Sequence, residues 1–227
     1  MIEGVLFDMD GVLLDSERYG RGVFLEGCRA RGYAVTEETY AQLLGRTEEA
    51  SRQWLLNRFG PAFPYDDVRR LFQQKLLQDA EAGRIPLKKG VEECFSGLKA
   101  RGLPMALATS TARPIVERYM KGIPALQNAF DTMVCGGEGG RSKPAPDIYL
   151  EAARRIGVEP EKCIGVEDSR AGLQSLTAAR VPSVMVPDLL PYGKDLAPFV
   201  QYRLDDLTQL CGLIDRLNLE GRHRAQG

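Results

Sequence analysis

The sequence is poor in histidine and has no clustered cysteines. Its 227 residues include one histidine, His223, which lies in a polar stretch near the C-terminus. The five cysteines are odd in number, widely spaced and without a CxxC pair, which argues against a disulfide framework and against a zinc site. We therefore expect buried free thiols and a chemistry that proceeds without histidine.

A dominant charge of one sign and a long apolar run are also missing. Thirty lysines and arginines against thirty-one aspartates and glutamates leave a formal net charge of −1, which predicts no overall attraction to nucleic acid. No apolar run approaches the roughly 20 residues of a membrane-spanning helix, and the N-terminus leads directly into a core-strand pattern. We expect a cytoplasmic protein that binds neither nucleic acid nor a membrane and, without any indication of assembly, a monomer.

The composition itself is that of an ordinary globular protein, with 44% hydrophobic and 27% charged residues. Short continuous apolar runs are typical of strands buried on both faces. Such runs recur at 5–7, 105–108, 132–135, 163–166 and 183–186. Amphipathic helical patterns lie between them and end at glycines such as Gly102 and Gly157. This alternation predicts an α/β fold with a doubly wound parallel sheet, in which ligands bind at the carboxyl ends of the strands.

The stretch 16–86 breaks this alternation because it contains helical patterns and no convincing strand. One of these patterns stops at Gly60-Pro61, a natural end for a helix. At about 150 residues per domain, a chain of 227 residues fits one core domain that carries an insertion. We predict a core formed by 1–15 and 87–227, with a helical domain, 16–86, inserted above the carboxyl ends of the sheet as a lid.

Polar side chains gather where the predicted strands end. They form the segments Asp8-Met9-Asp10-Gly11, Thr109-Ser110-Thr111 and Glu167-Asp168-Ser169, and a further polar segment, Ser142-Lys143-Pro144, lies before a later helix. Gly11 allows the chain to turn sharply, so Asp8 can point into the crevice as a nucleophile. Asp10 can then lie on the far side of the substrate and serve as general acid and base.

The two aspartates after the first strand would repel an anionic substrate unless a divalent cation neutralised them. Glu167 and Asp168 add hard oxygen ligands, and a set without histidine or cysteine favours Mg²⁺. Lys143 adds a fixed positive charge, and the Thr109 hydroxyl with neighbouring backbone amides can hold phosphoryl oxygens. The residues therefore point to a phosphate ester as the substrate.

Each of these motifs also has a purely structural explanation. Asp-x-Asp-Gly is commonly a turn or a calcium-type loop, and Thr109-Ser110-Thr111 can cap a helix. Lys143 before a proline can simply be solvated, and Glu167-Asp168-Ser169 can cap the helix that begins near Arg170. Their ordered occurrence at strand ends favours one shared site over four unrelated accidents.

In this order, Asp8-Met9-Asp10-Gly11-Val12, Thr109, Lys143 and Glu167-Asp168 resemble the four motifs of the haloacid dehalogenase superfamily of phosphotransferases. The segment Ser142-Lys143-Pro144-Ala145-Pro146-Asp147 resembles its β-phosphoglucomutase-like branch in particular. The resemblance spans nearly the whole chain and implies a Rossmann-like core with a helical cap inserted after the first motif.

The resemblance also implies roles for individual residues. Asp8 would form an aspartyl-phosphate, and Asp10 would protonate the leaving group and activate water. Mg²⁺ would bind to Asp8, the Asp10 carbonyl and Asp168, with Glu167 adjoining. Thr109 and Lys143 would hold the phosphoryl group.

Two positions decide among members of the branch. The mutases carry a cap histidine where this chain has Gly20, which favours hydrolysis over transfer to a second sugar phosphate. The familiar dehalogenases lack the second aspartate, so Asp10 argues against dehalogenation. We expect a phosphatase that acts on a small phosphorylated metabolite, either a sugar phosphate or a nucleotide-like monophosphate. A phosphomutase and a non-catalytic phospho-ligand sensor are the alternatives.

Candidate substrate-binding residues lie in the insertion and after the second strand. Gly45-Arg46-Thr47 resembles the branch's specificity loop, where Arg46 could bind a second anionic group or could be a surface arginine with Thr47 capping a helix. Lys75 could reach the site or could cover core surface with its stem. Arg113 could bind the distal end of the substrate or be solvated. Ser110 and Thr111 are the remaining candidates for substrate binding.

Overall fold

A parallel sheet of six strands forms the centre of the molecule, of which this computed structural model describes residues 1–43 and 48–225. The strands are β1 (Gly4–Phe7), β2 (Met105–Ala112), β3 (Thr132–Gly136), β4 (Cys163–Glu167), β5 (Ser183–Met185) and β6 (Tyr202–Arg203). They lie in the order β3-β2-β1-β4-β5-β6, and every neighbouring pair is parallel. The predicted α/β fold with a parallel sheet is confirmed.

Both faces of the sheet are covered, which explains why its central strands are continuously apolar. On β1, Val5 and Phe7 pack into one hydrophobic cluster while Leu6 packs into a second cluster on the opposite face. All four residues of β1 are buried. The five apolar runs correspond to β1 through β5. β6, two residues long, was not predicted because Tyr202–Arg203 carries no apolar run.

Five helices pack against this sheet. They are α5 (Val91–Ala100), α6 (Arg113–Gly122), α7 (Asp147–Ile156), α8 (Arg170–Ala178) and α9 (Leu210–Ala225). α7 buries Ile148, Tyr149, Ala152 and Ala153 on one side, as its amphipathic pattern predicts. It ends at Gly157, which takes the left-handed conformation (φ 71°) that closes many helices.

The described part of 16–86 contains helices and no named strand. The helices are α1 (Ser16–Arg29), α2 (Glu37–Ala41), α3 (Glu48–Phe59) and α4 (Tyr65–Glu81), and we call them the helical unit. It has its own hydrophobic cluster, formed around Phe24, Leu55 and Val68. α3 ends directly before Gly60 (φ 95°), at the predicted stop.

Two chain segments connect the helical unit to the sheet, and they pair with each other. The backbone NH of Asp15 donates to the Pro86 carbonyl at 2.9 Å, and that of Lys88 donates to the Leu13 carbonyl at 2.9 Å. Leu14 and Leu87 form an isolated antiparallel bridge between these bonds. The two crossings therefore act as one short, two-stranded connector.

The expected free thiols are confirmed. Cys28, Cys94, Cys135 and Cys163 are buried and Cys211 is partly exposed, and none is in a disulfide. Within the described residues, the helices are either too short or too polar to span a membrane.

Candidate active site

The carboxyl end of β1 places Asp8 beside a buried lysine. Lys143 Nζ donates to Asp8 Oδ1 at 2.7 Å, to Glu167 Oε1 at 2.7 Å and to the Ala108 carbonyl at 3.0 Å. Only 6% of the Lys143 side chain is exposed, so the solvated alternative for this residue is wrong. Groups on β2 and β4 and directly after β1 thus converge on one ammonium group.

Glu167, the last residue of β4, uses both of its carboxylate oxygens within the protein. Oε1 accepts hydrogen bonds from Lys143 and from the Tyr149 hydroxyl at 2.7 Å. Oε2 accepts from the backbone NH groups of Asp168 and Ser169, each at 3.1 Å, and from the Ser169 hydroxyl at 2.9 Å. Glu167 thus accepts five hydrogen bonds, which fix Lys143 and the start of α8 relative to each other.

Asp10 is held apart from this cluster by two hydroxyl groups. Ser16 Oγ donates to Asp10 Oδ1 at 2.7 Å, and Thr111 Oγ1 donates to Asp10 Oδ2 at 2.8 Å. Ser16 is the first residue of α1 and Thr111 lies near the end of β2, so Asp10 connects the helical unit to the sheet. Its carboxylate therefore has a different environment from that of Asp8, as two distinct chemical roles require.

Thr109 is buried at the same edge, and its hydroxyl accepts a hydrogen bond from the Thr111 NH at 3.1 Å. Thr109, Ser110 and Thr111 all belong to β2. The alternative in which they cap a helix is wrong, because α6 begins only at Arg113 and no side chain caps it.

Gly11 makes the sharp turn after the two aspartates. Its φ of +79° is unfavourable for residues with a side chain. A Cβ atom at this position would also overlap the carboxylate of Asp168. Gly11 thus brings the turn after β1 directly against the end of β4, as expected for a functional loop rather than an isolated turn.

The segment Glu167-Asp168-Ser169 does cap a helix, as its structural explanation predicts. Ser169 is the N-cap of α8, and its Oγ accepts a hydrogen bond from the Gly172 NH at 3.0 Å. The same serine also donates to Glu167. Ser169 therefore both caps α8 and binds a carboxylate of the site.

Burial dominates the electrostatics of the site. Burial, together with nearby Glu167, raises the pKa of Asp8 to about 7 against the opposing effect of Lys143. Burial, Glu167 and Asp8 together raise the pKa of Asp168 well above its usual range. Burial also acts to raise the pKa of Glu167, but Lys143 and the hydrogen bonds around it hold that pKa below its usual value. The pKa of Lys143 is raised because Asp8 and Glu167 outweigh its burial.

A divalent cation fits this donor set. Asp8, Glu167 and Asp168 are buried, and each offers an oxygen within 4.8 Å of the others. Three carboxylates face one lysine here, so full ionisation leaves two excess negative charges in a buried place. Because the oxygens of Glu167 already accept five hydrogen bonds, Asp8 and Asp168 are the better-placed ligands.

Two of the candidate substrate-binding residues pair elsewhere. Lys75 is ion-paired with the buried Asp79 four residues along α4. Arg113 is ion-paired with Glu138 and donates to the Met133 carbonyl on β3 at 3.0 Å. Neither contacts the carboxylates described above. The third group, Gly45, Arg46 and Thr47, lies outside the described residues.

Ser16 and Tyr149 are site residues that the sequence did not reveal. Tyr149 occupies a core position of α7, and its spacing is the same as that of its apolar neighbours. Ser16 directly follows the connector and resembles an ordinary helix-capping serine. Only the fold shows that both hydroxyls donate to site carboxylates.

Comparison with known proteins gives a consistent result. A family model described as haloacid dehalogenase-like hydrolase matches residues 2–180. Protein CbbY of Rhodobacter capsulatus is 32% identical over 216 residues, covering 91% of this chain and 94% of that protein. A phosphorylated carbohydrates phosphatase of Thermotoga maritima is 30% identical over 187 residues, covering 81% of this chain and 84% of that protein.

A crystal structure of CbbY from Rhodobacter sphaeroides in complex with phosphate superposes with a TM-score of 0.72. The two sequences are 28% identical, and the match covers 92% of this chain and 96% of the other. The chain belongs to the haloacid dehalogenase-like hydrolase family, and it is a phosphatase that acts on phosphorylated substrates.

Proposed function

We propose that the protein is a Mg²⁺-dependent phosphatase that hydrolyses a small phosphorylated metabolite through an aspartyl-phosphate on Asp8. The observation that carries this proposal is the separation of the two aspartates. Asp8 lies against Lys143 in the buried cluster, whereas Asp10 is held outside it by Ser16 and Thr111. One carboxylate is thus set for nucleophilic attack and the other for proton transfer.

In the first step, a carboxylate oxygen of Asp8 attacks the phosphorus atom, and the bond from phosphorus to the ester oxygen breaks. Asp10 donates its proton to the departing oxygen, so the product leaves as a neutral alcohol. Lys143, at 2.7 Å from Asp8, favours the ionised nucleophile and stabilises negative charge on the phosphoryl group.

In the second step, Asp10 takes a proton from a water molecule as that water attacks the phosphorus atom of the acyl phosphate. The bond between phosphorus and the Asp8 oxygen breaks, which releases inorganic phosphate and restores the carboxylate. Thr109 and nearby backbone NH groups, with Ser110 and Thr111 adjoining, are suited to binding the phosphoryl oxygens.

Asp8, Asp168 and the Asp10 carbonyl would hold Mg²⁺. When bound, the ion supplies Lewis-acid stabilisation of the negative charge shared by the carboxylates and the phosphoryl group. We assign Glu167 a different task, which is to hold Lys143 and Ser169 through the hydrogen bonds described above.

Hydrolysis is favoured over phosphomutase activity by the packing of Gly20. A Cβ atom at Gly20 would lie 3.1 Å from the Phe72 ring, inside the contact between α1 and α4. A histidine there, as in the mutases, would have to displace this packing. The packing of Phe72 at this position therefore suits glycine better than the residue that distinguishes a mutase cap.

We further propose that the helical unit is the cap, with boundaries at 16–86, and that it selects the substrate. The names of the relatives, which include a phosphorylated carbohydrates phosphatase, favour a sugar phosphate among small metabolites. Within the cap, Arg46 and its neighbours remain the candidates for binding the part of the substrate remote from its phosphate.

The test is phosphate release from a panel of sugar phosphates, nucleoside monophosphates and phosphorylated acids, with and without Mg²⁺. Asp8→Asn is the control, because the amide cannot form an acyl phosphate and differs little in size. We expect Mg²⁺-dependent release by the native protein and release at the blank level by the variant. Conversion of one sugar phosphate isomer to another without net release would favour the mutase instead.

A further inference from the structure

A second cluster of charged residues lies beside the connector. Its centre is Asp188, which follows β5 and whose side chain is completely buried. Asp188 Oδ1 accepts hydrogen bonds from Arg18 Nε at 3.0 Å and from Lys88 Nζ at 2.7 Å. Asp15 completes the cluster, with its Oδ1 at 3.4 Å from Arg18 Nε and 3.7 Å from Lys88 Nζ.

The four residues come from three different parts of the chain. Arg18 is in the first turn of α1, in the helical unit, whereas Asp188 belongs to the sheet domain. Asp15 and Lys88 lie on the two paired segments of the connector. Within this cluster, the contact between Arg18 and Asp188 joins the helical unit directly to the loop after β5.

The burial of Asp188 makes this contact energetically significant. A buried carboxylate is unfavourable unless cations and hydrogen-bond donors compensate for its lost hydration. Asp188 Oδ2 has no hydrogen-bond partner within the described residues. The hydrogen bonds that Oδ1 accepts from Arg18 and Lys88 therefore compensate for the lost hydration of the carboxylate. Rotation of the helical unit about the connector would remove Arg18 and leave Lys88 as the only cation bound to Asp188. The cluster therefore favours the orientation of α1 that is seen here.

That orientation bears directly on the site. Ser16 lies two residues before Arg18 and donates to the carboxylate of Asp10. The same helical turn thus carries one contact to the acid-base residue and another to Asp188.

We propose that Asp188 is a positioning residue, which binds Arg18 and thereby holds the first turn of α1, with Ser16, over the carboxyl end of the sheet. This inference rests on the proposed function for its catalytic consequence, but the contact itself can be tested without turnover. Arg18 is half-exposed and can be replaced without disturbing the core, so the test does not depend on Asp188 variants alone.

The decisive experiment is hydrogen exchange, followed by mass spectrometry, on the native protein and on Arg18→Met, Asp188→Asn and the double variant. Lys89→Met is the matched control. Lys89 is the next residue along the connector, and it forms an ion pair of 2.7 Å with Asp206, entirely outside the helical unit.

We expect the peptides that contain the NH groups of Asp15 and Lys88 to exchange about 5- to 30-fold faster in Arg18→Met and in Asp188→Asn. The double variant should exchange no faster than the faster single variant, and peptides from β2 should be unchanged. Lys89→Met should match the native protein. Native exchange in the connector of Arg18→Met, or additive effects in the double variant, would overturn the proposal.

Enzyme assays then test the consequence for catalysis. We expect Arg18→Met and Asp188→Asn to lower kcat/KM by a similar factor through KM, with partial recovery in Arg18→Lys. If the native protein releases no phosphate from any substrate, the proposed function fails while the exchange data still decide the role of Asp188. If turnover occurs and the Arg18→Met variant has native KM, the positioning role is wrong although the phosphatase is right.

Discussion

The buried lysine at the centre of the site explains how several acidic residues can lie together. Lys143 neutralises one of the three carboxylates in its surroundings, and a divalent cation would neutralise the other two. Because burial raises the pKa values of Asp8 and Asp168, the apo protein resists having both ionised at once. Metal binding and the reactive, ionised form of Asp8 are therefore expected to be coupled.

The first prediction concerns the acid-base residue. Asp10→Asn should lower kcat by about 10²- to 10⁴-fold, because the amide cannot exchange a proton with the leaving oxygen or with water. Its Mg²⁺ affinity, measured by titration calorimetry, should stay within a few-fold of native, because the backbone carbonyl of residue 10 is the proposed ligand. A large loss of Mg²⁺ affinity would show that the carboxylate itself binds the metal.

The second prediction concerns Lys143. Lys143→Met should lower the free energy of unfolding by about 3–5 kcal/mol, because it leaves Asp8 and Glu167 buried without their shared cation. Tyr149→Phe is the matched variant, since it removes one hydrogen bond from the same Glu167 oxygen and should cost about 1.5–3 kcal/mol. Urea unfolding of both variants without metal provides the comparison. Equal stability of Lys143→Met and the native protein would contradict the charge arrangement described here.

At this scale the sequence predicted the charged residues better than the hydroxyl groups. Asp8 and Asp168 could be identified because carboxylates are conspicuous after apolar strands, and Lys143 because it belongs to the Ser142-Lys143-Pro144 motif. Ser16 and Tyr149 could not, because their partners are distant in sequence. Lys75 was a candidate as a cation in the predicted lid and Arg113 as a cation just beyond Thr109, and only the fold shows that their charges are paired with Asp79 and Glu138.

Among the helices, α8 depends on a glycine for its position against the site. A Cβ atom at Gly172 would overlap the carboxylate of Glu167, so α8 can approach the end of β4 only with glycine at this position. Gly172 is also the residue whose NH is bound by the capping Ser169. The start of the helix and the orientation of Glu167 are therefore fixed together.

The third prediction follows from this packing. Gly172→Ala should destabilise the protein by about 1–3 kcal/mol through steric overlap, and it should lower phosphate release by displacing Glu167 from Lys143. Gly212→Ala is the control, because Gly212 lies in α9 with open space around its Cβ position. That substitution should be neutral or stabilising by about 0.5–1 kcal/mol. Urea unfolding that ranks the two variants in the opposite order would show that α8 can adjust without cost.

In the helical unit, Asp79 on α4 is a buried carboxylate that fixes the position of neighbouring side chains. It is completely buried and interacts with Lys75, Arg84 and the Tyr19 hydroxyl, which joins α4 to α1. Burial acts to raise the pKa of Asp79, but the hydrogen bonds from Lys75, Tyr19 and Arg84 outweigh it and lower that pKa from 3.8 to about 2.

The fourth prediction is the pH dependence that this shift produces. A carboxylate whose pKa is lower in the folded state contributes stability above its unfolded pKa, and this contribution is lost as the pH falls. Asp79 should thus stabilise the protein fully above about pH 4 and lose this effect between pH 4 and 2. The difference in unfolding free energy between the native protein and Asp79→Asn should shrink over that range. A difference that is constant from pH 5 to pH 2 would contradict the shift.

Elements with a regular apolar pattern could be predicted from the sequence, and short ones could not. α7 and the strands β1 to β5 carry enough buried apolar residues for their patterns to be visible in the sequence, although Thr109, Glu167 and Ser183 are buried polar residues of these strands. β6 has two residues and is stabilised by pairing with β5, a contact between chain segments that no local pattern records.

At the scale of the whole molecule, the order of elements places the helical unit near the site. It is inserted directly after β1, whose carboxyl end carries Asp8, and the chain returns through the paired connector before α5. The sequence predicted this insertion because a helical stretch interrupts the alternation of strands and helices. It could not predict the contact of Arg18 with Asp188, which lie 170 residues apart.

The central claim is that phosphate passes through Asp8. The most direct measurement is acid quenching of the enzyme during the first turnover with its best substrate and Mg²⁺, followed by mass spectrometry of the peptide that contains Asp8. We predict a transient peptide carrying the mass of one phosphoryl group on Asp8, which disappears on treatment with hydroxylamine. Rapid phosphate release with Asp8 unmodified at every quench time, or with the phosphoryl group on another residue, would contradict the account.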